Sequence, residues 1–296
     1  HWFRGLGRLI ASIRPDIVHM EEEPYNLATA LALRAAKRAA ARTVFFTWQN
    51  LNRRYPLPFR LLERYCYRAA NHAIAGNRDA ERVLRAKGYA GPIAVLPQFG
   101  VDENRFRPGS GRPPVFNIGY VGRFVPGKAV DLLLRAAAGL PGEWRLSLLG
   151  SGTERKALAR LSGELGIADR VTWQLPVSSG EVPRHLQGLS CLVLPSISLP
   201  NWVEQFGRVL IEAMACGVPV IGSDSGEIPH VIGDAGLVFS EGDAGGLRDH
   251  LARLQAEPGL AEALGELGRQ RVLEHFTQAS IARRTAAVYA EMMSRR

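Results

Sequence analysis

Glu204 and Glu212, with seven residues between them, lie in the run Asn201-Trp-Val-Glu-Gln-Phe-Gly-Arg-Val-Leu-Ile-Glu-Ala-Met-Ala-Cys-Gly-Val-Pro-Val220. Residues 206–216 favour a helix, Gly217 stands where a left-handed cap costs little, and Pro219 follows where a helix cannot continue. Glu204 then sits before the helix mouth, and Glu212 lies roughly 9 Å down the axis at about 1.5 Å per residue. The free N–H groups at the positive end of a helix suit a diphosphate. A carboxylate on either side could accept hydrogen bonds from hydroxyls, which is the layout of a sugar–diphosphate–ribose ligand. Two solvated glutamates, one favoured by the helix dipole, meet the same spacing, so context must decide.

That context starts with Tyr120-Val-Gly-Arg-Phe-Val-Pro-Gly-Lys128, which follows an apolar strand and puts Gly122, Arg123 and Lys128 at its carboxyl end. Arg holds a phosphate bidentately and Lys adds a point charge; together they could neutralise a diphosphate leaving group. Leu149-Gly-Ser-Gly-Thr-Glu154 is a second strand-to-helix turn, in which Gly150 permits close backbone approach but the third glycine of a dinucleotide fingerprint is missing. Ser223-Asp-Ser-Gly-Glu-Ile-Pro229 is a third. Each of the three taken alone is also met by an ordinary turn.

The seven histidines form no metal-binding motif, and no Gly-x-Ser-x-Gly points to a serine hydrolase. His19 reads as a structural residue at a strand end. Cys66, Cys191 and Cys216 are widely spaced, as expected of reduced core thiols rather than of a disulfide framework or a zinc site.

The elements that must position these residues alternate in type. Strands are expected at 16–20, 42–47, 72–75 and 93–96, with helices at 27–41, 58–70 and 78–87. A Pro- and Gly-rich break follows at 107–114. Beyond it, strands at 116–121, 145–149, 170–174, 191–194, 218–222 and 237–239 alternate with helices at 129–138, 154–165, 182–188 and 206–216, and the chain is helical from 244 onward. Alternation at this spacing indicates parallel sheets with covering helices, and ligands bind at the carboxyl ends of such strands. The expected architecture is α/β: two Rossmann-like domains with a cleft between them.

A 296-residue chain that is 46% hydrophobic is long enough for two domains with real cores. No apolar stretch nears the roughly 20 residues of a membrane span, and the first residues lack the apolar core of a signal peptide, so a cytoplasmic location is expected. The net charge of +9 is carried entirely by residues 1–108, with 18 Lys and Arg against 9 Asp and Glu; the rest is balanced at 19 of each. Such asymmetry suits an anionic membrane surface or an acidic ligand as well as a solvated Arg-rich face. Nucleic acid is disfavoured, because no continuous basic block with aromatics and no recognition signature is present.

Together, Gly122-Arg123 with Lys128, Leu149-Gly-Ser-Gly152, Glu204-x7-Glu212 and Gly226-Glu-Ile-Pro229 resemble the GT-B glycosyltransferases of family 4 (glycosyl transferases group 1). The resemblance covers the second domain and is looser in the first, through Arg14-Pro-Asp-Ile-Val-His19 and the stretch from Gly100 to Pro108. It implies two parallel sheets facing across a cleft: an acceptor-side domain over 1–108, incomplete at its amino end, a linker at 109–114, and a donor-binding domain over 115–276. A last helix at 277–296 is expected to return to the first domain.

The implied activity is retaining, metal-independent transfer of a sugar from a UDP- or GDP-sugar to a hydroxyl on a glycan, a lipid-linked or a small acceptor, with no cofactor. By matching position, Arg123 and Lys128 would bind the diphosphate and Glu204 the donor-sugar hydroxyls. Glu212 would take the ribose, and Gly122, Gly150, Gln205, Phe206, Gly207 and Arg208 would line the donor site. Gln174 and Leu175 would lie near the base and Gln49 on the acceptor side.

The chain departs from the pattern in places. Gln205 replaces the first glycine of Glu-Gly-Phe-Gly, Gly127-Lys128-Ala129 replaces Glu-Lys-Gly, and Thr47-Trp-Gln-Asn50 stands where a His is common. The readings that compete are a non-catalytic nucleotide-sugar-binding protein or regulatory subunit, and another GT-B enzyme such as a sugar-nucleotide epimerase. Peripheral contact with the cytoplasmic face of an anionic membrane is expected of the basic first third.

Overall fold

In the computed structural model, residues 3–109, 111 and 113–294 are described; Ser110 and Arg112 of the expected linker, the two terminal residues His1 and Trp2, and Arg295 and Arg296 lie outside them. The chain divides into two compact units, His1–Phe99 with Ile281–Arg296, and Gly100–Ser280.

The first unit holds α1 (Leu6–Ile13), β1 (Ile17–Met20), α2 (Leu27–Arg38), β2 (Arg42–Thr47), α3 (Phe59–Ala69), β3 (His72–Ala75), α4 (Arg78–Ala86) and β4 (Ile93–Val95). All four strands are parallel, in the order β1-β2-β3-β4. Successive residues of a strand face opposite sides, and β2 shows this directly. Phe45 packs with Leu33, Cys66, Tyr67 and Leu84 on the side of α2, α3 and α4. Val44 and Phe46 pack with Ile74, Leu96 and, from the last helix α12 (Gln278–Ser294), Val288 and Met292 on the other. A strand buried on both faces reads as a continuous apolar run, which is why Thr43-Val-Phe-Phe46 was legible. The Asn77 side chain caps α4 by accepting from the Ala80 N–H at 2.7 Å.

The second unit carries β5 (Phe116–Val121), α5 (Val130–Ala138), β6 (Trp144–Leu149), α6 (Arg155–Glu164), β7 (Val171–Gln174), α7 (Val182–Gln187), β8 (Cys191–Leu194), α8 (Arg208–Ala215), β9 (Val220–Ser223), α9 (Ile228–Ile232) and β10 (Leu237–Phe239). Two longer helices follow, α10 (Ala244–Ala256) and α11 (Pro258–His275). Its six parallel strands run β10-β9-β8-β5-β6-β7, which is the doubly wound Rossmann order. Ile118, Leu146, Leu192, Val193 and Ile221 fill the sheet, all fully buried. Helix α1 was not foreseen from the sequence, and α8 starts two residues later than expected, because Gly207 takes a left-handed conformation (φ 75°) before it.

Candidate functional site

The second sheet reverses direction at one place. From β5 the chain winds outward through β6 and β7, whereas β8, β9 and β10 extend to the other side. The loops leaving β5 and β8 therefore diverge and open a crevice at the carboxyl ends of these strands. Gly122, Arg123 and Lys128 follow β5; Ser196, Glu204 and the mouth of α8 follow β8.

Across that crevice Lys128 Nζ forms an ion pair with Glu204 Oε2, and the Ser196 hydroxyl donates to the same oxygen at 2.9 Å. Glu204 is only 7% exposed. The Lys128 ammonium stands 5.1 Å from the centre of the Trp202 ring. A Cβ on Gly127 would come within 2.5 Å of that ring, so the short turn Pro126–Lys128 requires glycine there. The Gly127 carbonyl accepts from the Ile197 N–H at 2.9 Å, which ties the two loops together. On the far side, Gly226 (φ 54°) lets the loop after β9 close on the backbone of Glu204, whose carbonyl accepts from the Glu227 N–H at 3.3 Å.

Glu212 lies one turn inside α8, about 6 Å along the axis rather than the 9 Å expected, because the helix begins at Arg208. Its side chain is 12% exposed and accepts from Arg208 Nε at 2.8 Å. Burial holds the Glu212 carboxyl above its ordinary value, against the opposing charges of Arg208 and Arg105. Neither glutamate is solvated, which removes the surface reading of the pair. Phe206 anchors the helix mouth, its ring edge-on to Phe276 at 5.8 Å, while Gln205 is exposed.

The rim on the other side of β5 is stitched by backbone. The Gly122 N–H donates to Leu149 O at 3.0 Å, the Phe124 N–H to Ser151 O at 2.8 Å, and the Gly150 N–H to Gln174 O at 3.0 Å. Gly150 has φ 153°, and a Cβ there would lie 1.8 Å from the Gly122 carbonyl oxygen. A pocket of about 220 Å³ opens here, lined by Gly122, Arg123, Gly150, Ser151, Pro176 and Val177. The Arg123 side chain is exposed, and its carbonyl accepts from the buried Tyr120 hydroxyl at 2.8 Å. Burial, then the Glu204 charge, pushes that phenol above its ordinary value and keeps it a neutral donor. At the end of β7, Gln174 and Leu175 are exposed, Leu175 to 80%. Beside them the Arg155 guanidinium stacks on Trp173 at 3.8 Å.

The structure thus gathers Glu204 and Lys128 into one pair, sets Arg208 on Glu212, and places Gly122, Arg123, Gly150 and Gln174 on one rim. Gln49 belongs to the other unit, just past β2. Its backbone is fixed by Thr47 Oγ1, which accepts from its N–H at 3.1 Å and donates to Glu23 at 2.5 Å. The Glu23 carboxylate also accepts from the Trp48 N–H at 2.8 Å, and burial raises its pKa. Gln49 is 8% exposed, and neither its amide oxygen nor its nitrogen has a partner among the described residues. Such a group asks for a ligand or water.

A larger cavity of about 510 Å³ lies at the opposite, amino-terminal edge of the second sheet, among Pro114, Phe116, Ser190, Val218 and Pro219, and among the described residues no charged one lines it. His19 accepts or donates at 2.7 Å with the Tyr289 hydroxyl, a structural contact as its position suggested. The three cysteines are buried and unpaired, with burial pushing Cys66 up to about 12. Among the described residues no group of three His, Cys, Asp or Glu could hold a metal, and no helix is long and apolar enough to cross a membrane.

Ser196, Trp202, Tyr120 and Arg155 were not found from the sequence. Their roles depend on how the chain folds back after β5, β6 and β8, and only Ser196, two residues past a buried strand, carried a local signal.

Two parallel α/β units, the second in Rossmann order with a buried acid–base pair at its switch point, define a GT-B glycosyltransferase fold. The model of the family "Glycosyl transferases group 1" matches residues 102–271, and the chain belongs to that family; the model of "Glycosyltransferase Family 4" matches residues 1–105. Among curated proteins, the D-inositol 3-phosphate glycosyltransferase of Streptomyces bingchenggensis is 33% identical over 250 residues, 76% of this chain and 54% of that protein. That of Mycobacterium bovis is 38% identical over 209 residues, 64% of this chain and 42% of its own length. The chain thus spans about half the length of the curated relatives it matches.

Among solved structures, sucrose-phosphate synthase from Thermosynechococcus elongatus aligns with a TM-score of 0.76 at 24% identity, over 97% of this chain and 76% of that one. HepE from Anabaena, solved with UDP, aligns with a TM-score of 0.81 at 18% identity, over 97% and 82%. At these identities the structures speak for the fold.

Proposed function

We propose that the protein transfers a sugar from a UDP- or GDP-sugar to a hydroxyl acceptor with retention of configuration, without metal or cofactor. The observation that carries this reading is the buried Lys128–Glu204 pair, braced by Ser196, at the switch point where a doubly wound sheet takes its ligand. Arg123 and Lys128 face the diphosphate and neutralise the charge that builds as the glycosidic bond breaks. Glu204 accepts from donor-sugar hydroxyls, and Glu212, one turn deeper, from the ribose. The mouth of α8 at Gln205, Phe206, Gly207 and Arg208 approaches the sugar and phosphates, Gly122 and Gly150 admit the nucleotide, and Gln174 and Leu175 border the base. The acceptor hydroxyl attacks the sugar carbon on the face the diphosphate leaves; its proton passes to the departing phosphate oxygen, so no separate base is required. The unpaired amide of Gln49 belongs to the acceptor side. The acceptor is a glycan, a lipid-linked or a small molecule, and the basic first third makes a peripheral contact with an anionic membrane at its cytoplasmic face.

The test is thermal unfolding with UDP, GDP and ADP, followed by donor turnover. A nucleotide at a hundredfold its dissociation constant adds about 2.7 kcal/mol. The reading expects such stabilisation from UDP or GDP together with sugar transfer or donor hydrolysis. No stabilisation by any nucleotide would overturn it; stabilisation without turnover would leave a binding protein in its place.

A further inference from the structure

Helices α2 and α3 present one outward pattern twice. On α2, Leu27, Leu31, Arg34 and Arg38 follow one another at steps of four, three and four residues; on α3, Leu61, Arg64 and Arg68 repeat the steps of three and four, with Leu57 in the turn ahead of the helix. All eight side chains are exposed. Steps of three and four keep a side chain on one stripe of a helix. Both helices connect neighbouring parallel strands of one sheet, β1 to β2 and β2 to β3, so the right-handed rule sets them side by side and pointing the same way. The leucines therefore share one end of the face and the arginines the other. Helix α1 adds Leu9 and Ile13, 53% and 62% exposed. Between α1 and α2 runs a groove of about 300 Å³ with Leu6, Ala28 and Leu31 in its lining and Arg34 and Arg38 beside them.

Charge singles out the occupant. Between Glu23 and Asp79 the only carboxylate is Glu63, and it is buried against Lys87 at 2.7 Å, while ten Lys and Arg fall in the same stretch. A face that mixes exposed leucines with unopposed arginines suits the interface of an anionic bilayer, where apolar side chains enter the acyl boundary and guanidinium groups meet phosphates. We propose that the outer face of α2 and α3, extended by α1, is the surface through which the protein seats on anionic phospholipid. This names the surface for the membrane contact in the functional reading and rests on that contact, but not on the donor chemistry.

The experiment is flotation of the 296-residue chain with vesicles of phosphatidylcholine alone or with added phosphatidylglycerol. The expected result is partition into the anionic vesicles only, weakening as salt rises. Each arginine near such a surface is worth about fivefold, so Arg64→Glu with Arg68→Glu should lower partition at least about 25-fold. Leu31→Asp with Leu61→Asp should lower it at least about tenfold. Far-UV circular dichroism confirms that each variant is folded, and the charge pair decides alone if the leucine pair unfolds the chain. No partition into either vesicle would overturn both the contact and the surface, leaving sugar transfer to its own test. Partition unchanged in folded variants overturns the surface and spares the contact. A concentration-dependent dimer, lost on Leu31→Asp with Leu61→Asp, would assign the face to a second copy of the chain instead.

Discussion

The Lys128–Glu204 pair permits a test in which stability and function give separate readouts. The two side chains are 14% and 9% exposed. Removing one partner of a buried pair typically costs about 3–5 kcal/mol, because the other charge is left without compensation. Here Ser196 still donates to Glu204 after Lys128→Met, and residual exposure screens whichever charge remains, so about 3 kcal/mol is expected for Lys128→Met or Glu204→Gln. For a unit of this size that is a fall in melting temperature of roughly 6–12 °C. The double variant carries neither charge and should recover about 2 kcal/mol of the summed loss, a coupling within the range of contacting residues. Function should divide the set differently. Lys128→Met and the double variant should lose nucleoside diphosphate binding, Glu204→Gln should bind UDP or GDP within a few-fold of the parent, and all three should fail to transfer sugar. Urea unfolding gives the first readout, and calorimetric titration with a donor assay the second. Additive losses in the double variant would refute a pair formed across the crevice, and parental affinity in Lys128→Met would refute its place at the diphosphate.

Other substitutions probe the rest of the site. Gly150→Ala should cost about 3 kcal/mol or more and abolish nucleotide binding, since its methyl would meet the Gly122 carbonyl oxygen at 1.8 Å; thermal unfolding and titration read both effects. Gln49→Met replaces a buried amide that has no protein partner, so it should leave the chain as stable as the parent or up to about 1 kcal/mol more so, yet slow transfer; a clear loss of stability would show the amide to be structural. Glu212 bears on pH. Burial raises its folded pKa above the ordinary 4.5, so between these two values the folded state holds a proton that the unfolded state has lost. Stability from this group is therefore present below 4.5 and falls as pH climbs through the raised value. Glu212→Gln should gain stability relative to the parent over that rise, in urea midpoints taken from pH 4 to 7, while binding nucleoside diphosphate more weakly.

Local chemistry made much of the framework legible. The strands Arg42–Thr47, His72–Ala75, Phe116–Val121, Cys191–Leu194 and Leu237–Phe239 were expected at these same bounds, because each holds a mainly apolar run set off by turn or helix signals. Gly217 is left-handed, as its place before Pro219 required. What escaped was set by pairs distant in the chain. Nothing near Gly127 announces that Trp202 lies against it, and nothing near Gly226 announces the backbone of Glu204. Ala129 shows the same limit in reverse. It holds φ 44°, a conformation glycine adopts freely, so the turn Gly127-Lys128-Ala129 carries a steric cost at its last residue that the sequence did not announce.

The site itself was legible as a set of residue types but not as a set of pairs. Lys128 and Glu204 were expected to face different parts of one ligand, diphosphate and sugar, whereas in the fold they face each other, as do Arg208 and Glu212. An uncompensated ammonium or carboxylate at this depth would be expensive, so each of these charges takes the other as its partner. Under the proposed function, the diphosphate of a donor would compete for Lys128 and its sugar hydroxyls would donate to Glu204, exchanging one ion pair for two sets of contacts. Spacing along the chain shows which groups are available; only the reversal between β5 and β8, which joins residues 76 positions apart, shows that they meet at a single point.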